Sequence, residues 1–215
     1  MAVEILNIDC MEYMAGQPDD AFDLAIVDPP YGIGIKGENP IKNRNDKKNF
    51  DTTWDAKAPE PEYFYELIRV SKAQIIWGGN YFLDTLGYCK APIIWNKMNG
   101  DSLYADGEMA WTGGDGIPRN LKIWNHQWCG AFKHSERGVK NIHPTQKPIM
   151  LYNWILTNYA KPGQRILDTH LGSGSSAIAA HYFGVDFVGC ELDEDYYQAA
   201  KERFDKETAQ YSMNF

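Results

Sequence analysis

The chain has 215 residues, 44% of them hydrophobic and 13% aromatic, which suits one packed core and argues against wholesale disorder. No apolar run approaches the roughly 18 residues of a membrane helix, and the opening MAVEILNIDC lacks the basic and long apolar parts of a signal peptide. Four scattered cysteines, Cys10, Cys89, Cys129 and Cys190, form no CxxC pair, which excludes a disulfide scaffold and suits a reducing, intracellular setting. His126 and Cys129 have no second ligand pair at metal spacing, so no metal is expected.

The formal net charge of −8, taken alone, argues against a nucleic-acid partner. The charge is polarised, however. Lys36, Lys42, Arg44, Lys47 and Lys48 outnumber Glu38 and Asp46, and the stretch 119–147 carries six basic residues against Glu136, whereas 186–207 is acidic. Solvated loops and an acidic helix face would give the same pattern.

In chain order the pattern alternates strand and helix, as in an α/β domain with a mostly parallel sheet. Val3 to Ile8 reads as a strand ending at Asp9. Phe22 to Val27 (FDLAIV) is almost continuously apolar, as for a strand buried on both faces, and Pro29 and Pro30 stop it. Pro61 to Val70 reads as a helix, Gln74 to Trp77 as a strand, and Pro92 to Lys97 as a strand paired with Glu108 to Thr112. A helix over Pro148 to Tyr159 ends at Lys161-Pro162-Gly163. Then come a strand at Arg165 to Leu167, a helix from Ser175 to Phe183, a strand at Val185 to Cys190 and a helix from Asp193 to Phe204. Residues 33–59 and 113–141 read as long loops, which in a compact domain are functional or disordered.

Two motifs carry chemistry. The first is a strand running into Gly172-x-Gly174-x-x-Ala177, then a helix, a strand and Glu191, 17 residues beyond Gly174. Glycines allow close backbone approach and the helix N-terminus offers free N–H groups. A carboxylate at the next strand end can take ribose hydroxyls. An adenosine-containing ligand fits, either a dinucleotide or S-adenosylmethionine, and the turn does not choose between them.

The second motif is Asp28-Pro29-Pro30-Tyr31 at the end of a buried strand, where open α/β sheets bind ligands. The amine of a nucleic-acid base is a poor nucleophile because its lone pair is delocalised. The Asp28 carboxylate and the Pro29 carbonyl could hold both amine protons, with Pro29 and Pro30 fixing the backbone. Tyr31 offers a face for an extruded base. An isolated Asp-Pro-Pro is as well explained by a tight turn.

Together these residues resemble the N6-adenine and N4-cytosine DNA amino-methyltransferases of restriction-modification systems and phages. The order, DPPY first and glycine turn last, is similar to their β-class. That implies a circularly permuted, Rossmann-like S-adenosylmethionine-dependent methyltransferase fold, with a mostly parallel twisted sheet and helices on both faces. His143-Pro144-Thr145-Gln146-Lys147-Pro148 looks like the family's (H)P(T)xKP motif and Asp9-Cys10 like its N-terminal segment. Two departures stand out: Asp168-Thr169-His170 replaces the usual Asp-Pro-Phe, and Ser175 and Ser176 replace threonines.

The resemblance implies that Asp28, Pro29, Pro30 and Tyr31 are catalytic. It implies that Asp9, Cys10, Asp28, Thr145, Lys147, Asp168, Gly172, Gly174, Ser175 and Glu191 contact S-adenosyl-L-methionine. Asp in the first motif position favours adenine N6 over cytosine N4. One domain over 1–215 is expected, with 113–140 as a small inserted target-recognition region. Double-stranded DNA is the expected partner, met by Lys36, Lys42, Arg44, Lys47, Lys48, Lys133 and Arg137. The stretch 113–140 carries Trp124, His126, Gln127, Trp128, Lys133, His134 and Arg137 for contacts to base edges and phosphates, with Trp124 and Trp128 as plain core residues the lesser reading. A homodimer and a cognate restriction endonuclease are candidate partners, and the expected location is the cytoplasm. A nicotinamide-dependent oxidoreductase and an inactive DNA-binding relative remain as alternatives.

Overall fold

The computed structural model describes residues 1–34, 53–100, 105–129 and 132–209. Its main sheet has eight strands in the order β1-β10-β9-β2-β3-β5-β4-β6. They are β1 (Val3–Asn7), β2 (Leu24–Val27), β3 (Ala73–Trp77), β4 (Ile93–Asn96), β5 (Gly107–Gly114), β6 (Lys122–Asn125), β9 (Arg165–Asp168) and β10 (Asp186–Glu191). A two-stranded ribbon joins β7 (Trp128–Cys129) to β8 (Phe132–Lys133). The β1-β10-β9-β2-β3 block is parallel throughout, and β5 runs antiparallel to both β3 and β4.

All four residues of β2 are buried, and they divide between two cores. Leu24 and Ile26 join Trp77, Leu151, Ile155 and Ala177 on one side. Ala25 and Val27 join Phe64, Leu67 and Val188 on the other. The period-2 alternation of a strand thus feeds two helical layers. The first side holds α4 (Ile149–Tyr159) and α5 (Ser175–Phe183), and the second holds α1 (Cys10–Ala15) and α2 (Pro61–Val70). The small residues of α5, Ala177, Ala179 and Ala180, are fully buried, which lets α4 lie close. Helix α3 (Leu83–Leu86) is a single turn, and α6 (Glu194–Ala209) closes the described chain. No helix among the described residues is long and apolar enough to cross a membrane.

Most expected elements are present, and α2 begins and ends where the pattern places it. The stretch 113–141 departs from the expected loop. β6 extends the main sheet through parallel pairing with β4. Trp124 packs against Trp95 at 5.6 Å, and Trp128 donates its indole N–H to the Gln146 carbonyl at 2.9 Å. Both tryptophans are core residues.

Candidate active site

From β2 the chain crosses to β3 on one side, and from β9 it crosses to β10 on the other, while β2 and β9 are neighbours. The sheet's switch point therefore lies between their carboxyl ends, where a crevice opens in such folds. Asp28 follows β2 directly and Thr169-His170 follows β9.

The DPPY turn is held from several directions. Buried Asp55, in a short 3-10 turn over Thr53–Ala56, accepts from the backbone N–H groups of Tyr31 at 2.8 Å and Gly32 at 3.2 Å through one oxygen. The Tyr31 ring stacks on Tyr81, centroids 5.1 Å apart at 21°, and meets Phe82 edge-on. Its hydroxyl donates to Asp28 Oδ1 at 2.7 Å. Burial, with Asp28 alongside, pushes the phenol well above its usual range, so it stays a neutral donor. The other carboxylate oxygen, Oδ2, accepts from the Lys147 ammonium. Lys147 Nζ also lies 3.2 Å from Glu108 Oε2, and Glu108 Oε1 accepts from Lys97.

Four charges thus alternate in a row, Lys97, Glu108, Lys147 and Asp28, with side chains 5 to 21% exposed. Burial disfavours the Lys147 ammonium, but Asp28 and Glu108 outweigh it and raise its pKa. Burial likewise opposes the Glu108 carboxylate, yet Lys147 and Lys97 bring it down to about 2.

Asp28 and Pro30 open onto a cavity of about 530 Å3, a size that suits a nucleoside-like ligand. Of the expected cofactor residues, Asp9, Cys10, Asp28, Thr145, Lys147, Gly172 and Glu191 line it. Asp9 also caps α1, accepting from Met11 N–H at 2.7 Å. Burial raises the Cys10 thiol to about 12, so it is neutral. Glu191 is fixed by backbone donors, Gly172 to Oε2 at 2.8 Å and Asp193 to Oε1 at 3.0 Å.

Three expected contacts stand behind the wall instead. Asp168 is buried, accepting from the Ser176 hydroxyl at 2.6 Å and His170 N–H at 3.0 Å. Burial raises its carboxyl to about 7. Ser175 donates to the Lys147 carbonyl at 2.7 Å. Gly174 supplies a left-handed backbone, φ +73°, from which α5 starts. These residues shape the turn. Likewise Pro29 is buried and Tyr31 is packed on its neighbours rather than on the cavity wall.

His170, the departure from Asp-Pro-Phe, does line the cavity. Its Nδ1 lies 2.9 Å from Thr169 Oγ1, which in turn meets the Tyr63 hydroxyl at 2.6 Å. Burial lowers its pKa to about 4. It is a neutral aromatic ring, edge-on to Tyr63 at 5.3 Å, and so fills an apolar role while holding a polar contact. Sequence reasoning missed Tyr152, Asp193 and Tyr196 on the wall. Asp193 and Tyr196 belong to the acidic helix start that follows β10. Tyr152 lies on α4, whose repeating apolar residues give no sign of which one meets a ligand.

Net charge in the cavity is negative. Asp9, Glu191 and Asp193 face it while Lys147 is paired with Asp28 and Glu108. His143 on the wall is pushed down to about 4 by burial and is neutral.

The basic residues divide. Arg137 is exposed. Lys133 is turned inward, its ammonium 4.5 Å from the Trp128 ring centroid and bonded to the Val139 carbonyl and Asn141. Lys36, Lys42, Arg44, Lys47 and Lys48 lie outside the described residues.

Residues 119–202 match the family model described as DNA methylase. The type II methyltransferase M.HinfI of Haemophilus influenzae is 25% identical, over 93% of this chain and 67% of that protein. The fold is that of the M1.HpyAVI structure solved with SAM (TM-score 0.62, 22% identity, 95% of this chain and 100% of that one). It is equally that of the PvuII cytosine-N4-specific DNA methyltransferase (TM-score 0.63, 12% identity, 99% and 92%). With the DPPY turn and the glycine turn meeting at one crevice, the chain is similar to DNA methyltransferases in fold and, over residues 119–202, in sequence.

Proposed function

We propose that this protein transfers a methyl group from S-adenosylmethionine to N6 of adenine in duplex DNA, the base being swung out of the helix into the crevice. The observation that carries the choice of donor is the acidic cavity at the end of β9, continuous with Asp28. A ligand bearing a sulfonium and an ammonium is attracted there, whereas the pyrophosphate of a dinucleotide meets carboxylates without a free cation among the described residues to receive it. Glu191, held by two backbone N–H groups, keeps lone pairs for ribose hydroxyls.

Bound there, the donor supplies an electrophilic methyl carbon, whose bonding pair returns to sulfur. The chain's residues prepare the nitrogen. Asp28 accepts one amine N–H and the Pro29 carbonyl the other, so the nitrogen lone pair is drawn out of conjugation and aimed at the methyl carbon. As the N–C bond forms, the nitrogen loses one proton to solvent. Asp55 and Gly32 hold the turn, and Tyr31 orients the carboxylate through its hydroxyl.

Adenine N6 and cytosine N4 both present an amine beside a ring nitrogen, and the PvuII enzyme, which shares the fold, is specific for cytosine N4. Asp at the first motif position is what favours adenine. The exposed Arg137, with Arg119 nearby in sequence, supports 113–140 as a DNA-facing region mounted on the sheet by Trp124 and Trp128. Treating duplex DNA with the purified protein and donor, then digesting to nucleosides, should yield N6-methyladenine. N4-methylcytosine instead overturns the adenine assignment, and no methylated base overturns the activity. Asp28→Ala should abolish transfer, by about a hundredfold or more, while S-adenosylhomocysteine binding by calorimetry persists.

A further inference from the structure

The resting site has a difficulty for the reaction proposed above. Both oxygens of Asp28 are already engaged, Oδ1 by the Tyr31 hydroxyl and Oδ2 by the Lys147 ammonium. A cation on Oδ2 weakens that oxygen as an acceptor. It also repels a nitrogen that becomes positive as the methyl group arrives. For Asp28 to accept a hydrogen bond from the amine well, the ammonium has to shift, and a buried ammonium does not leave one carboxylate without another to receive it.

Glu108 is placed to receive it. It sits on β5, opposite Trp95 of β4, on a strand remote in sequence from both catalytic motifs. Its Oε2 is 3.2 Å from Lys147 Nζ, yet this buried oxygen has no aligned hydrogen bond. Its Oε1 is fixed by Lys97, whose own ammonium rests 4.9 Å from the Trp95 ring centroid. The ammonium's surroundings favour a short excursion, since the Trp77 and Tyr31 rings lie 5.7 and 5.9 Å away and stabilise a cation between the two carboxylates.

We propose that Glu108 is a positioning residue that draws the Lys147 ammonium off Asp28 when the substrate amine enters, so that Oδ2 becomes the free acceptor. Lys97 holds the Glu108 carboxylate at the right depth. No proton moves and no covalent bond changes in this step. The ionic contact to Asp28 is given up while the existing one to Glu108 tightens, and the four groups stay neutral as a set. The inference rests on the methyl-transfer reading of the site.

The test is a set of variants assayed at saturating donor. Glu108→Gln keeps the side-chain shape and an oxygen for Lys97, but removes the charge that attracts Lys147. The expected result is a kcat about tenfold or more below wild type, with S-adenosylhomocysteine affinity within about twofold. Adding Lys147→Met to Glu108→Gln removes the ammonium from Asp28 and should recover a large part of that loss. A purely structural Glu108 predicts the opposite, a double variant as slow as the single or slower. Glu108→Asp retains the charge at a shorter reach and should fall between wild type and Gln, which keeps the test open if Glu108→Gln does not fold. A Glu108→Gln kcat within twofold of wild type, or no recovery in a folded double variant, overturns the proposal while wild-type transfer stands. A wild-type protein that methylates no base overturns the reaction and this step together.

Discussion

Gly78 follows β3 with φ +69°, and a Cβ there would overlap the Tyr31 ring. Alanine at this position is strained in its backbone and also displaces the ring whose hydroxyl holds Asp28 Oδ1. Gly78→Ala should therefore cost about 1 kcal/mol or more in stability and also lower kcat. Gly163→Ala is the control: φ is +83° but nothing lies within 4 Å of a Cβ, so it should cost stability by a similar backbone effect and leave kcat unchanged. Urea midpoints and kcat of the two variants separate backbone strain from loss of Tyr31. At this scale Asp28 and Glu191 were legible because each sits at a strand end beside a turn motif. Asp55, Glu108 and Lys97 were not. Each is a single charged residue in ordinary surroundings along the chain, and only pairing of β5 with β3 and β4 brings Glu108 and Lys97 to the DPPY turn.

Between elements, Glu136 joins three of them. Its Oε1 accepts from Ile149 N–H at the start of α4 at 2.8 Å, and its Oε2 pairs with Arg203 of α6 at 2.8 Å. Arg203 in turn donates to the Ser173 carbonyl and the Ser175 hydroxyl of the glycine turn. The 113–140 segment is thereby tied to the glycine turn through a largely buried ion pair, with side chains 8 and 12% exposed. Removing one partner leaves a charge without compensation, so Arg203→Met should cost about 3–5 kcal/mol in urea unfolding. Arg203→Met with Glu136→Gln should cost less than the two single losses added together. An additive double variant would show the pair to be uncoupled. Elements with a clear stripe or a continuous apolar run were legible: α2 spans Pro61–Val70 as its apolar stripe indicates, and the four residues of β2 are buried on both faces. α1, with six residues, is too short to display a helical period, and β6, with four, has no continuous apolar run, while Trp124 and Trp128 anchor the 113–140 stretch to the core.

For the molecule as a whole, burial of ionisable groups around one crevice makes stability depend on pH in a definite direction. His143 and His170 are both held near 4, against 6.5 for the free side chain. Between these values the unfolded chain binds two protons that the native protein does not, so stability rises with pH. Asp168 acts in the opposite sense. Its folded value of about 7 lies above the usual 3.8, so the native state holds a proton the unfolded chain has lost, and stability falls as pH rises through that range. Glu191, also raised by burial, shares that sign. Two histidines against Asp168 leave a net slope of about 1.4 kcal/mol per pH unit towards higher stability from about pH 4.5 to 6, increased by His126, which burial also lowers, and reduced by the share of Glu191. Below this window Glu108, held at about 2, continues the loss as acid protonates it. Above pH 6.5 the histidine contribution is spent and Asp168 alone remains, so stability levels and turns slightly downward near neutrality. Urea midpoints of the free protein should therefore rise from pH 5 to 6.5. In a His143→Gln/His170→Phe variant, which removes both titrations, the rise should be much smaller than in wild type, because only His126, also lowered by burial, is left to oppose the carboxyl effect. A rise as steep as in wild type would mean that these histidines are not the groups kept neutral by the fold.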